Sequence, residues 1–257
     1  MTARDWTLEM GAFMNTTGPV WVIEIDRPLR RNAVDSTTAN NLSFMLQEAN
    51  ANPNCHCAIF RGSGGWFSAG SDLKELAGCT PGDMAAIESS KAELARTIGE
   101  VDIPVIAVVA GFALGGGLAL AAACDYVIAD ANSKWQMPEV ANGWLPPWGI
   151  EPVIKRCGEF AARHILWGAE PLDAHEAYRL GLVDIVTAPD GAREHAEKLA
   201  DRIAQLPPLA VRSVKAYQRS SDRVPAMAAD QLASRAFQSH CATARAQLTL
   251  NKFGSNR

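Results

Sequence analysis

PVIAVVAGFALGGGLALAAACD, residues 104–125, carries the reading of the whole chain. Val105 to Ala110 is continuously apolar, as in a strand buried on both faces, and the alanine- and leucine-rich run after the glycines has high helix propensity. Gly115, Gly116 and Gly117 stand between them, at a strand-to-helix junction, where they strip one piece of backbone of side chains and let a ligand atom reach the peptide N–H groups. The first N–H groups of a helix have no intrahelical partner, and the helix dipole adds positive potential at the same point. Such a junction suits an oxyanion. Glycines serving close packing alone are the alternative at this point.

The 257 residues are enough for a sizeable core in one large domain, or in a domain with a long terminal extension. A net charge of −4 supplies no basic field, so neither a nucleic-acid partner nor an anionic membrane surface is expected. Met1 to Asp5 contains no apolar signal core, and no apolar run is long enough for a membrane span. Together with six scattered cysteines (Cys55, Cys57, Cys79, Cys124, Cys157 and Cys241), this leads us to expect a cytoplasmic protein with reduced thiols. Cys55-His56-Cys57 contains metal-binding residue types, but in a strand His56 faces away from both cysteines and no second pair lies near. No metal is expected.

Along the chain, Trp6 to Met14 and Val20 to Ile25 read as a strand hairpin about Thr16-Thr17-Gly18-Pro19. A loop carrying Arg27, Arg30 and Arg31 leads to a helix capped by Ser36, with Leu42, Met45, Leu46 and Ala49 at helical spacing. His56 to Arg61 is a further strand. The loop from Gly62 to Lys74 is a second glycine-rich element; it has neither the Lys-Ser/Thr end of a P-loop nor GxGxxG spacing, and no GxSxG elbow occurs in the chain. Asp83 to Glu100 reads as a polar helix, Tyr126 to Asp130 as a strand, and Gly143 to Gly149 as a rigid turn rich in tryptophan and proline. Helices follow over 150–157, 160–167 and 173–181, then a strand over 182–186, and from Gly191 an almost wholly helical pattern broken at Pro207-Pro208 and Pro225. Trp66 and Trp135 are expected in the core.

Four pieces in this order resemble the crotonase, or enoyl-CoA hydratase/isomerase, superfamily: Phe67-Ser68-Ala69-Gly70-Ser71-Asp72-Leu73-Lys74-Glu75; Ile103-Pro104-Val105-Ile106-Ala107 through the three glycines to Cys124-Asp125; Pro138-Glu139; and Ala174 to Leu182-Val183. The resemblance implies an α/β (α+β) fold, a crotonase/ClpP-like spiral of ββα units over residues 1–190 with the acyl-CoA site. It also implies a C-terminal helical trimerisation region over 191–257 and a homo-oligomer, trimer or hexamer. The substrate implied is a coenzyme A thioester, so coenzyme A belongs to the substrate and no separate cofactor is expected. The two oxyanion-hole donors carry over to the backbone N–H groups of Ser71 and Gly116. Coenzyme A is expected along Ala69, Ser71, Asp72 and Leu73, beside Ala33 and Gly115, with its phosphates near Arg30 or Arg31. Lys252 is the counterpart of a basic residue that reaches the nucleotide from a neighbouring subunit.

Hydratases of this family use two glutamates. The position of the first is Ala119 here, whereas the second matches Glu139. Addition of water needs a base and an acid placed together, but moving a double bond needs one group that takes a proton from one carbon and returns it to another. The favoured expectation is therefore Δ3-to-Δ2 isomerisation of an enoyl-CoA with Glu139 as the proton shuttle and Trp144 and Trp148 walling the acyl pocket. A hydratase or lyase with a substituted second acid, another crotonase reaction such as hydrolysis, and a non-catalytic acyl-CoA-binding protein are the alternatives.

Overall fold

A computed structural model describes residues 11–221 except Gly78, Trp144 and Ala169. The expected roles of Trp144 and Lys252, the strand reading before residue 11 and the helical reading beyond residue 221 fall outside the described residues.

The first strands, β1 (Ala12–Asn15) and β2 (Val20–Ile25), form the expected antiparallel hairpin, with Ala12 opposite Ile25. β2 then pairs in parallel with β3 (Cys57–Gly62), β3 with β4 (Val105–Val109), β4 with β6 (Tyr126–Asp130) and β6 with β9 (Ile185–Thr187). The sheet order is β1-β2-β3-β4-β6-β9. All five residues of β4 are buried because helices cover both sheet faces. On one face Phe60, Ala107 and Val127 meet α1 (Ser36–Ala51) and α3 (Pro81–Glu100); on the other, Ile59, Ile106 and Ile128 meet Ala192, Ala196 and Ala200 of α7 (Ala192–Ala204). Between α1 and α3 the chain makes the short helix α2 (Leu73–Leu76). Alanines at a four-residue spacing let α7 lie close on the strands.

The segment after β4 differs from its sequence reading. The chain turns at Gly111 (φ +62°), where a Cβ would stand 2.6 Å from the Gly65 carbonyl oxygen, and enters a second sheet as β5 (Phe112–Leu114) before the helix begins. β5 pairs in parallel with β7 (Lys134–Gln136), which pairs antiparallel with β8 (Leu172–Asp173). Three apolar residues without alternation carry no strand periodicity, so β5 merges in sequence with its neighbours. The succession β4-β5-α4, with α4 spanning Gly116–Ala123, is one ββα turn of the spiral.

Local capping corrects three further expectations. Asp35, not Ser36, caps α1, accepting the Thr38 N–H at 2.8 Å. The two helices expected over 150–167 run as α5 (Ile150–Gly168) with a non-helical break at Gly158 (φ +76°). Asp173 caps α6 (Ala174–Arg179) as read from sequence, but Leu182 and Val183 drop into the core and the strand begins only at Ile185. Trp135 is buried, whereas Trp66 is 40% exposed and stacks on Phe112 with ring centroids 4.9 Å apart. No helix among the described residues is long and apolar enough to cross a membrane.

The last described helix, α8 (Pro208–Ser221), is fastened by Lys215. Its Nζ donates to the carbonyls of Ile98 (3.2 Å) and Ile103 (2.9 Å) and to Asp125 Oδ2 (2.7 Å), and the same carboxylate oxygen accepts the Val105 N–H at 2.7 Å. One ammonium therefore ties α8 to the end of α3 and the start of β4. Lys215→Met is expected to cost about 2–3 kcal/mol in denaturant unfolding. This is less than the ~3–5 kcal/mol of a fully buried pair, because the Asp125 side chain is 28% exposed.

Candidate active site

Strand register brings the site together. Ser68 makes a parallel bridge with Ala113 of β5, its N–H donating to the Phe112 carbonyl (3.1 Å) and its carbonyl accepting the Leu114 N–H (3.0 Å). Counting three residues on from each partner places Ser71 beside Gly116. On the other side of β5, Leu114 is in register with Gln136 of β7, and the Gly115 N–H donates to the Gln136 carbonyl at 2.8 Å. Three residues beyond Gln136 stands Glu139. Three parallel segments thus end at one point and deliver Ser71, Gly116 and Glu139 to it.

Two of the glycines there are demanded by space. Gly70 has φ +87°, and a Cβ on it would stand 2.7 Å from the Leu114 carbonyl oxygen and 2.9 Å from the Gly116 nitrogen. Its absence lets the Ser71 segment close on the start of α4. A Cβ on Gly116 would lie 2.8 Å from the Trp148 ring and 3.4 Å from the Ser71 nitrogen. The N–H groups of Ser71 and Gly116 donate to no acceptor among the described residues.

A cavity of about 540 Å³ opens over these groups. Its walls are mainly apolar, with Leu73, Leu76, Met84, Leu145 and Pro146 among them, and Ser71, Glu88, Glu139 and Asn142 are the polar side chains with Trp148 beside them. Glu139 Oε1 is 2.6 Å from the point where a Cβ on Gly115 would stand, and Glu139 Oε2 is buried without a hydrogen-bond partner. Burial pushes the Glu139 carboxyl above its ordinary value against a hydrogen bond from its own N–H, and the Glu88 charge pushes it further. Ala119 is fully buried under Gly149, whose added Cβ would be 3.3 Å from the Ala119 methyl carbon. Position 119 offers the cavity no carboxylate.

Of the residues singled out in the sequence, Ala69, Ser71, Leu73, Gly115, Gly116, Glu139 and Trp148 line this cavity. Asp72 does not; it caps α2 by accepting the Lys74 N–H (3.1 Å) and pairs with Arg27 (3.1 Å). Arg30 and Arg31 are exposed next to the same loop, where the Ala69 N–H donates to the Arg31 carbonyl at 3.0 Å. The Ala33 carbonyl accepts from Arg27 at 2.5 Å. Asn32 ties the arginine loop to the glycine-rich loop through the carbonyls of Ser63 (2.8 Å) and Trp66 (2.7 Å). His56, whose neighbours raised the question of a metal, has Nδ1 2.9 Å from the Ala204 carbonyl oxygen.

Glu88 is the residue that sequence reasoning missed. Its Oε2 accepts from the Ser71 hydroxyl (2.9 Å) and the Trp148 indole N–H (2.8 Å). Lys91, on the same helix, is fully buried with Nζ 2.8 Å from Glu75 and 3.5 Å from Glu88 Oε1. The signal was in the pattern of α3: Ile87, Lys91, Leu94 and Ile98 follow one helical stripe, and a lysine in an apolar stripe implies a nearby carboxylate.

The enoyl-CoA hydratase/isomerase family model matches residues 15–257. The chain is 34% identical over 216 residues to a crotonyl-CoA hydratase of Syntrophomonas wolfei, covering 81% of this chain and 83% of that protein. It is 31% identical over 207 residues to a 2,3-dehydroadipyl-CoA hydratase of Escherichia coli, covering 80% of each. The crystal structure of an enoyl-CoA hydratase from Bacillus anthracis matches 96% of this chain and 97% of its own, with a TM-score of 0.90 at 27% identity. With its two-layer ββα spiral and these relatives, the chain has the crotonase fold and belongs to the enoyl-CoA hydratase/isomerase family.

Proposed function

We propose that this enzyme moves the double bond of an enoyl-CoA from position 3 to position 2. The Glu139 carboxylate takes a proton from C2, beside the thioester; the electron pair shifts through C3, and the same carboxyl group returns the proton at C4. Negative charge collects on the thioester oxygen in the intermediate, and the N–H groups of Ser71 and Gly116 receive it. Preorganised donors in a site shielded from water stabilise such charge far better than water does. Coenzyme A lies along Ala69 to Leu73, with Arg30 and Arg31 beside its phosphates, and the acyl chain enters the apolar cavity toward Trp148. The working form is a homo-oligomer.

The observation that carries this reading is the half-buried Glu139 with its unpartnered Oε2 next to Gly115, facing a cavity in which position 119 is a buried alanine. A raised carboxyl suits a group that must both accept and return a proton near neutral pH. Hydration is the second reading, favoured by the hydratase names of the relatives. It requires a second group to hold the water, and the other cavity carboxylate, Glu88, already accepts two hydrogen bonds on Oε2.

The test is a parallel assay of the purified protein with a 3-enoyl-CoA and a 2-enoyl-CoA, followed by mass and ultraviolet absorbance. Double-bond migration without a mass gain of one water is the expected result. Efficient water addition to the 2-enoyl-CoA moves the assignment to hydration, and binding without turnover of either substrate sinks the enzyme reading.

A further inference from the structure

A carboxylate in an apolar cavity carries a desolvation cost, and Glu88 adds a fully buried ammonium to it. The arrangement extends well beyond one ion pair. Ser36, in the first turn of α1, gives its N–H to both oxygens of Glu75 (3.0 and 3.2 Å); Glu75 holds Lys91; Lys91 faces Glu88; and Glu88 receives Ser71 and Trp148. A line of polar contacts therefore runs from the end of a core helix to the cavity wall.

Ser71 needs an outside anchor. The flanking peptides are fixed to Val34, through the Val34 N–H to the Gly70 carbonyl (2.8 Å) and the Asp72 N–H to the Val34 carbonyl (2.9 Å), while the Ser71 N–H itself stays unbonded. Rotation of that peptide is resisted from the side chain by the hydroxyl on Glu88. Trp148 lies on a turn rather than on a helix or strand, and its ring edge covers Gly116. Its indole N–H is held by the same Glu88 oxygen.

We infer that Glu88 is a positioning residue, a clamp that through one carboxylate oxygen sets both the Ser71 N–H and the Trp148 wall against Gly116. The inference rests on the reading of Ser71 and Gly116 as the donors to the thioester oxygen. Glu88 does not exchange a proton with substrate; it fixes the distance between the two donors and the depth of the acyl pocket, and donors of this kind tolerate only about 0.5 Å of displacement.

The test compares Ser71→Ala, Glu88→Ala, Glu88→Gln and the double variant Ser71→Ala/Glu88→Ala with the wild type on the enoyl-CoA that it turns over best. Ser71→Ala keeps the N–H and leaves the Glu88–Lys91 pair in place, so it reads the clamp without exposing a buried ion. The expected result is a kcat loss of about tenfold for Ser71→Ala and about 10–100-fold for Glu88→Ala, with KM within about threefold of wild type. The double variant is expected to be no slower than Glu88→Ala, because both changes break one contact. Glu88→Gln, which retains an acceptor oxygen, recovers most of the loss. Wild-type kcat in both Ser71→Ala and Glu88→Ala, or losses that multiply in the double variant, overturn the clamp while leaving the proton-transfer reading intact. A wild-type protein that binds acyl-CoA but turns over no enoyl-CoA overturns that reading and the clamp with it.

Discussion

Glu139→Gln is expected to lower kcat about 10³-fold, within the ~10²–10⁴-fold range of a positioned acid–base group, while acyl-CoA still binds. Glutamine has the shape of glutamate and keeps an oxygen near Gly115, but its amide does not carry a proton from one carbon to another. The same substitution has an opposite effect on stability. Burial raises the Glu139 carboxyl above its ordinary value of 4.5, so the folded state binds the proton more tightly than the unfolded chain does. Stability from this group is present below the unfolded value and is lost as pH rises through the folded one. At neutral pH the wild type therefore holds an anion in a place that disfavours it. Glu139→Gln is expected to unfold at higher temperature than wild type at pH 7, and this advantage shrinks as the pH is lowered toward 4.5. Thermal unfolding at several pH values, with kcat and acyl-CoA affinity on the same preparations, checks both halves. In wild type, kcat/KM falls on the acid side as Glu139 is protonated.

Gly116→Ala is expected to lower kcat about 10²–10³-fold, the loss seen when one donor to a developing oxyanion is removed. The added methyl occupies the point 3.4 Å from the Ser71 nitrogen and meets the Trp148 ring at 2.8 and 2.9 Å. It thus blocks the space between the two N–H groups and drives the tryptophan off its seat. The helix itself favours the change, since alanine replaces glycine within α4. Loss of activity with retained circular dichroism is the expected pair of results. Gly99→Ala is the control: nothing lies within 4 Å of its added Cβ on α3, so it is expected to keep full activity and gain roughly 0.5–1 kcal/mol.

What was legible in the sequence follows from the physics of each element. β4 announces itself by five apolar residues, and β2, β6, α1 and α3 by length and spacing, because each buries a regular face. The ordered motifs then lead to Ser71, Gly116 and Glu139, which the strand register sets side by side. β5, β7 and β8 have two or three residues each, too few for a periodic signal, and yet they form the layer that aligns the site. Glu88 escaped for a different reason. Its partners Ser71 and Trp148 come from other segments, and no local spacing joins a carboxylate on α3 to an indole on a later turn. Lys91 in the apolar stripe was the available clue, legible as a buried charge but silent about which carboxylate faces the cavity.

The central claim is that Glu139 and the two N–H groups together activate hydrogen beside a coenzyme A thioester. It is tested most directly with a saturated acyl-CoA in deuterium oxide, where no net reaction competes, by following loss of the α-hydrogen by proton nuclear magnetic resonance. Wild type is expected to exchange that hydrogen, whereas Glu139→Gln and Gly116→Ala bind the ligand without exchanging it. A wild type that binds the acyl-CoA yet leaves the α-hydrogen untouched, or a Glu139→Gln variant that exchanges at the wild-type rate, contradicts the account.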